Sequence, residues 1–130
     1  MPRRKNLFFC FAVFNLCLAF WVSAPTPHAE ERPDDWAKPI QLEGVPNLYQ
    51  ISNQLYRSAQ PTAEGMHALK RLGIRTIVNL RSFHSDRDEI EGTGLRYEHI
   101  WMKAWHPEEE DVLRFLRIVA EPQRGPILVH

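Results

Sequence analysis

The sequence predicts an α/β domain, a small and mainly parallel sheet flanked by helices. Three observations carry this. Residues 74–80 (IRTIVNL), 95–100 (LRYEHI) and 127–129 (ILV) read as strands, the last of them as a buried one. Two intervening segments, near 62–72 and 108–120, repeat apolar residues at helical spacing. Strand and helix alternate along the chain, the order expected of parallel strands joined by helical crossovers.

The first segment stands apart from this domain. Arg3, Arg4 and Lys5 precede an apolar run at 7–22 broken only by Asn15, and small residues follow. This layout predicts a secretory signal peptide over 1–29, cleaved after Ala29, and hence a secreted or periplasmic product with no stable membrane association after cleavage. The alternative is an anchor formed by residues 7–22, although that run falls short of the ~20 residues a spanning helix needs. Of sixteen basic and sixteen acidic residues, three basic and no acidic ones lie in 1–29, which leaves the remainder at net −3. With no basic tract, nucleic acid is not an expected partner. Both cysteines, Cys10 and Cys17, lie in the leader, so residues 30–130 contain no disulfide, cysteine metal site or cysteine nucleophile.

Residues 30–44 read as a linker, opening with the charged, proline-punctuated EERPDDWAKP, and residues 45–130 as the domain. LYQIS and QLYRS form two short strands around a turn at Asn53, with Tyr49 and Ile51 alternating against Leu48, Gln50 and Ser52. Thr62 caps the first helix, whose inner face is Met66, Leu69 and Leu72, and Gly73 stops it. A polar loop spans 81–94. Residues 102–107 (MKAWHP) are irregular, and Pro107 starts a helix with Val112, Phe115, Leu116 and Val119 on its inner face. Residues 122–125 (PQRG) turn the chain into ILVH.

Several groups of residues could carry chemistry. His84, Asp86 and Asp88 alternate in the manner of metal ligands, but with Arg87 among them a solvated charged loop is the better account, and no metal or cofactor is expected. Residues 108–111 (EEED) suit the positive end of a helix dipole. Arg57 and Ser58 could hold an anion, and an edge ribbon entering a helix explains them equally well. His130 closes an apolar strand at the carboxyl edge of a parallel sheet, where ligands bind.

The order LYRSAQP, LGIRTIVNLR, an aromatic-rich loop before a helix, then GPILVH resembles the cysteine-dependent dual-specificity and tyrosine phosphatases, in particular their compact bacterial and atypical members. The resemblance covers residues 45–130 and implies a dual-specificity-phosphatase-like fold that is incomplete at its carboxyl end. In that family the strand ending in His runs directly into Cys-x5-Arg. The thiolate attacks phosphorus, and the Arg and loop N–H groups cradle the phosphate. The resemblance places His130 in the supporting position before the nucleophile. The residues 1–130 lack that Cys and are expected to be inactive alone. The general acid of many relatives would fall near Ala104 and Trp105, which leaves Glu108 and His106 as substitutes. Expected substrates are phosphorylated proteins, at tyrosine or serine, or small phosphoesters. Two other readings stand beside this one: a non-catalytic exported remnant or binding protein, and a selenocysteine enzyme whose translation was ended at UGA.

Overall fold

A computed structural model describes residue 33 and residues 36–130. The expected signal peptide at 1–29 and the alternative anchor at 7–22 lie outside the described residues. The elements are β1 (Lys38–Pro39), β2 (Tyr49–Gln50), β3 (Leu55–Arg57), α1 (Ala63–Leu72), β4 (Thr76–Asn79), β5 (Arg96–His99), α2 (Glu109–Ala120), a 3-10 turn (Pro122–Arg124) and β6 (Ile127–Val129). They form a six-stranded sheet in the order β1-β2-β3-β6-β4-β5. The first three strands pair antiparallel, while β6 runs parallel to both β3 and β4, and β5 parallel to β4. The architecture is α/β, with a mixed sheet flanked by two helices.

Successive residues of the central strands face opposite sides of the sheet and are buried on both, and each face meets one helix. Ile77 and Leu128 are cross-strand partners and pack on one face against Met66 and Leu69 of α1. Val78 and Ile127 point the other way, against Ile118, Phe115 and Val119 of α2. Because both faces are covered, β6 reads as an unbroken apolar run. On the outer strand β5, Glu98 pairs with Arg114 of α2 at 3.3 Å and with Arg124 at 2.5 Å, fastening the second helix and the turn after it.

The ends of α1 follow their sequence signals. The Thr62 hydroxyl accepts from the Gly65 N–H at 3.1 Å, and Gly73 closes the helix at φ 103°, a conformation open to glycine. Backbone hydrogen bonding at its own position, helped by the Thr62 side chain, holds the Glu64 carboxyl below its usual range.

Four expectations need correction. Part of the segment read as linker belongs to the sheet: Lys38 and Pro39 pair with β2, and Ile40 and Leu42 pack on the core. Leu72 shares the azimuth of Ala68 and Leu69 but is 42% exposed, because it sits in the last turn where no described residue covers it. The strand read over LYQIS ends at Gln50, which leaves Ile51 exposed in the turn before β3. The second helix begins at Glu109 instead of Pro107, and its apolar arc is wider than its contact arc. Phe115, Ile118 and Val119 meet the sheet, whereas Val112, Leu113 and Leu116 lie on an exposed flank.

The segment around Gly44 crosses the first turn of α1 at close range. A Cβ added at Gly65 would stand 2.1 Å from the Gly44 carbonyl oxygen and 2.6 Å from its carbon. Helix propensity alone would favour alanine there by about 1 kcal/mol. The backbone clash outweighs it, so Gly65→Ala should destabilise the protein by about 1–3 kcal/mol. Urea denaturation of the variant against the parent measures this, and an unchanged or raised midpoint would contradict it.

Candidate active site

The parallel strands β3, β6, β4 and β5 end on one edge of the sheet, and the chain continues there as Ser58, His130, Leu80 and Ile100. This is the edge where open α/β sheets bind ligands. A cavity of about 300 Å³ lies on it, lined by Leu80, Arg81, Ser82 and Phe83 after β4, Met102, Ala104 and Trp105 after β5, and His130 after β6. Its walls are mostly apolar, and Phe83 and Trp105 are 86% and 73% exposed, unusually open for aromatic rings.

His130 is held at two levels. Its N–H donates to the Val78 carbonyl at 3.1 Å, and its own carbonyl accepts from the Leu80 N–H at 2.9 Å, so the backbone stays in the sheet after β6 ends. Its side chain, 1% exposed, places Nε2 2.7 Å from Oδ2 of Asp86, itself 0% exposed. Asn79, the last residue of β4, donates to the same oxygen at 2.9 Å and to the His84 carbonyl at 2.8 Å, and lies 3.1 Å from the Tyr97 hydroxyl. Its own side-chain oxygen accepts from the Arg81 N–H at 2.7 Å. The Tyr97 hydroxyl accepts from the backbone N–H of Asp86 at 3.0 Å. A polar cluster drawn from β4, β5, β6 and one loop therefore lies beneath the cavity floor. Oδ2 of Asp86 is met by both Asn79 Nδ2 and His130 Nε2, which offsets part of the cost of burying a carboxylate, while Oδ1 has no hydrogen-bond partner among the described residues.

This overturns the solvated reading of the 81–94 loop at its middle. Asp86 is buried because the loop folds back over the end of β4, where Asn79, Tyr97 and His130 supply its donors and its place. Asp88 is exposed, as expected. Glu89 takes its place in the cluster: His84 Nε2 lies 3.7 Å from Asp86 Oδ1 and 3.4 Å from Glu89 Oε1, with all three ligating groups within 4.8 Å of one another. The Gln60 side-chain amide nitrogen abuts the same imidazole nitrogen, and Arg81 reaches the Gln60 oxygen. Nε2 of His84 is thus engaged by hydrogen bonding, and a cation stands close by.

The other candidates fall at different distances from this floor. His106 and Glu108 pair with each other, Nε2 to Oε1 at 3.3 Å, and both are well exposed. They share the loop that carries Ala104 and Trp105 but do not line the cavity. Arg57 stacks its guanidinium 4.3 Å from the Tyr49 ring centre, and the Ser58 hydroxyl donates to the Ala59 carbonyl, so neither is brought to His130. Sequence reasoning missed Asp86 as the partner of His130, and Asn79 and Tyr97 as the residues that hold Asp86. One signal was present: Asn79 directly follows the apolar pair Ile77 and Val78 of a buried strand, and a buried amide needs partners.

Residues 44–130 match the family model described as DSP-PTPase phosphatase fused to NAD+ kinase. The chain belongs to this family. It is 32% identical over 116 residues to the dual specificity protein phosphatase TpbA of Pseudomonas aeruginosa strain UCBPP-PA14, which covers 86% of this chain and 52% of the relative. The chain thus spans about half the length of that curated relative. A structure of a Cys-to-Ser variant of P. aeruginosa TpbA in complex with pTyr superposes with a TM-score of 0.65 at 32% identity, covering 77% of this chain and 60% of that one. The core catalytic domain of the PP-IP phosphatase SIW14 from S. cerevisiae, at 22% identity, shares the fold with a TM-score of 0.60 over 69% of this chain and 58% of its own. The dual-specificity-phosphatase family and the α/β fold expected from the sequence are both met.

Within this family member the polar floor makes a defined contribution to stability. Asn79→Ala would strip Asp86 of one donor and leave the Arg81 N–H without its acceptor. A loss of about 1–3 kcal/mol is expected from each buried group left unsatisfied. Denaturant unfolding measures it, and a variant as stable as the parent would show that water replaces the amide.

Proposed function

We propose that residues 36–130 are the amino-terminal part of a phosphatase domain that hydrolyses phosphate monoesters through a cysteinyl-phosphate, with the Cys following His130 in the complete protein. The observation that carries this reading is the place of His130. It ends the central parallel strand at the ligand-binding edge, held rigidly beneath an apolar cavity. A nucleophile one residue further on would meet a substrate in that cavity. The thiolate would attack phosphorus and expel the ester oxygen, and water would then release phosphate and regenerate the thiolate. The chain's coverage of about half of TpbA agrees with a catalytic loop carried by the remainder. Residues 30–130 alone, having no cysteine, would be inactive.

The cavity wall bears on the substrate. Ala104 and Trp105, the positions that the family resemblance gives to the general acid, line it, and the substitutes His106 and Glu108 stand off it, paired in solvent. Chemistry with little help from a general acid favours good leaving groups. The apolar wall with Phe83 and Trp105 suits an aryl ester. An aryl phosphate such as phosphotyrosine is the substrate class we favour, in keeping with the pTyr complex of TpbA.

The complete protein should hydrolyse an aryl phosphate, with activity lost to vanadate and to thiol alkylation, and should turn over alkyl phosphates more slowly. An absolute requirement for a divalent cation would overturn the mechanism, and equal rates on alkyl and aryl esters would overturn the acid-poor reading. We also propose export by the leader at 1–29. Among the described residues no helix is long and apolar enough to cross a membrane. Mass spectrometry of the product from fractionated cells should find an amino terminus at Glu30; a retained Met1 in the membrane fraction would favour the anchor at 7–22.

A further inference from the structure

We infer that Asp86 is a positioning residue: its Oδ2, held by Asn79, fixes the imidazole of His130 in one rotamer with the proton on Nε2. The backbone bonds of His130 to Val78 and Leu80 set the strand but leave the ring free to turn and to exchange tautomers. Among the described residues, Asp86 is the side-chain hydrogen-bond partner that constrains those. An ionised carboxylate has lone pairs and no proton, so at 2.7 Å it accepts, and Nε2 must donate. Asn79 Nδ2 donates to the same oxygen at 2.9 Å, so Oδ2 acts as an acceptor there. Water cannot substitute for either partner, since the two side chains are 0% and 1% exposed. Asp86 lies 44 residues from His130 in sequence, so the contact is a product of the fold.

The consequence for the ring is specific. In a neutral ring with Nε2 as the donor, Nδ1 carries the lone pair, and it is buried with no hydrogen-bond partner among the described residues. A buried acceptor of known orientation at the edge of a ligand site is a prepared group. The second carboxylate oxygen, Oδ1, is likewise without a hydrogen bond and stands 3.7 Å from His84 Nε2. His84 and Glu89 thus border the pair from the loop side, with the Tyr97 hydroxyl on the backbone of Asp86. The catalytic part of this inference rests on the phosphatase reading above; the tautomer does not.

The test separates the two. In the complete protein, labelled at histidine with nitrogen-15 and with the His130 signals assigned through His130→Gln, the wild type should show a protonated Nε2 in slow exchange. Asp86→Asn keeps an oxygen where Oδ2 stands and should preserve that signal; Asp86→Leu removes the acceptor and should release the ring to tautomer averaging. On an aryl phosphate, Asp86→Leu should lower kcat about 10–100-fold with KM little changed, and Asp86→Asn should recover most of that loss. A wild-type Nδ1–H or averaged tautomer overturns the inference, as does full kcat in Asp86→Leu. If the wild type turns over no phosphate ester, the phosphatase reading fails and the tautomer alone decides the positioning role. If Asp86→Leu does not fold, the wild-type spectrum and the kcat of Asp86→Asn decide it, and a kcat in Asp86→Asn more than 100-fold below wild type would then count against it.

Discussion

Everything in this domain depends on the insertion of β6 between β3 and β4. Ile127, Leu128 and Val129 register with Leu55, Tyr56 and Arg57 on one side and with Thr76, Ile77 and Val78 on the other. Remove that strand and the antiparallel ribbon has no hydrogen-bonded path to the parallel half of the sheet. The two cores depend on it equally, since Leu128 belongs to the α1 side and Ile127 to the α2 side. The same three residues deliver His130 to the carboxyl edge.

How far this could be read from the sequence follows from the range of the interactions involved. The ends of α1 were legible because capping is local: Thr62 and Gly73 act within four residues of themselves. So were the cores of β4 and β6, whose apolar runs are long enough to declare burial. The flank of α2 was not, because periodicity reports which residues are apolar and says nothing about which part of the arc finds a partner. Nor was β1, a two-residue strand containing a proline, which edge positions tolerate and propensity argues against.

The site divides along the same line. His130 was legible from its strand and from family resemblance. Asp86 was not, because a charged residue among Ser85, Arg87 and Asp88 looks solvated, and its partners come from β4, β5 and β6. Burying a carboxylate is costly unless donors meet it, and only the assembled sheet brings those donors together. His106 and Glu108 teach the reverse lesson. They lie on the right loop by sequence, yet they end in solvent, bound to each other.

The strand order also sets a timetable for synthesis. A nascent chain that has emerged as far as α2 holds a ribbon and a parallel pair whose facing edges, β3 and β4, are both open. Each edge offers unpaired N–H and C=O groups, the usual invitation to wrong partners. Residues 127–129 close both at once, across gaps of roughly seventy and fifty residues, contacts whose loop-closure cost slows their formation. His130 arrives in the same movement, docking on Asp86 as the sheet seals. The ligand-binding edge thus comes into being only when the fold does, and a half-made chain has no partial site to misuse.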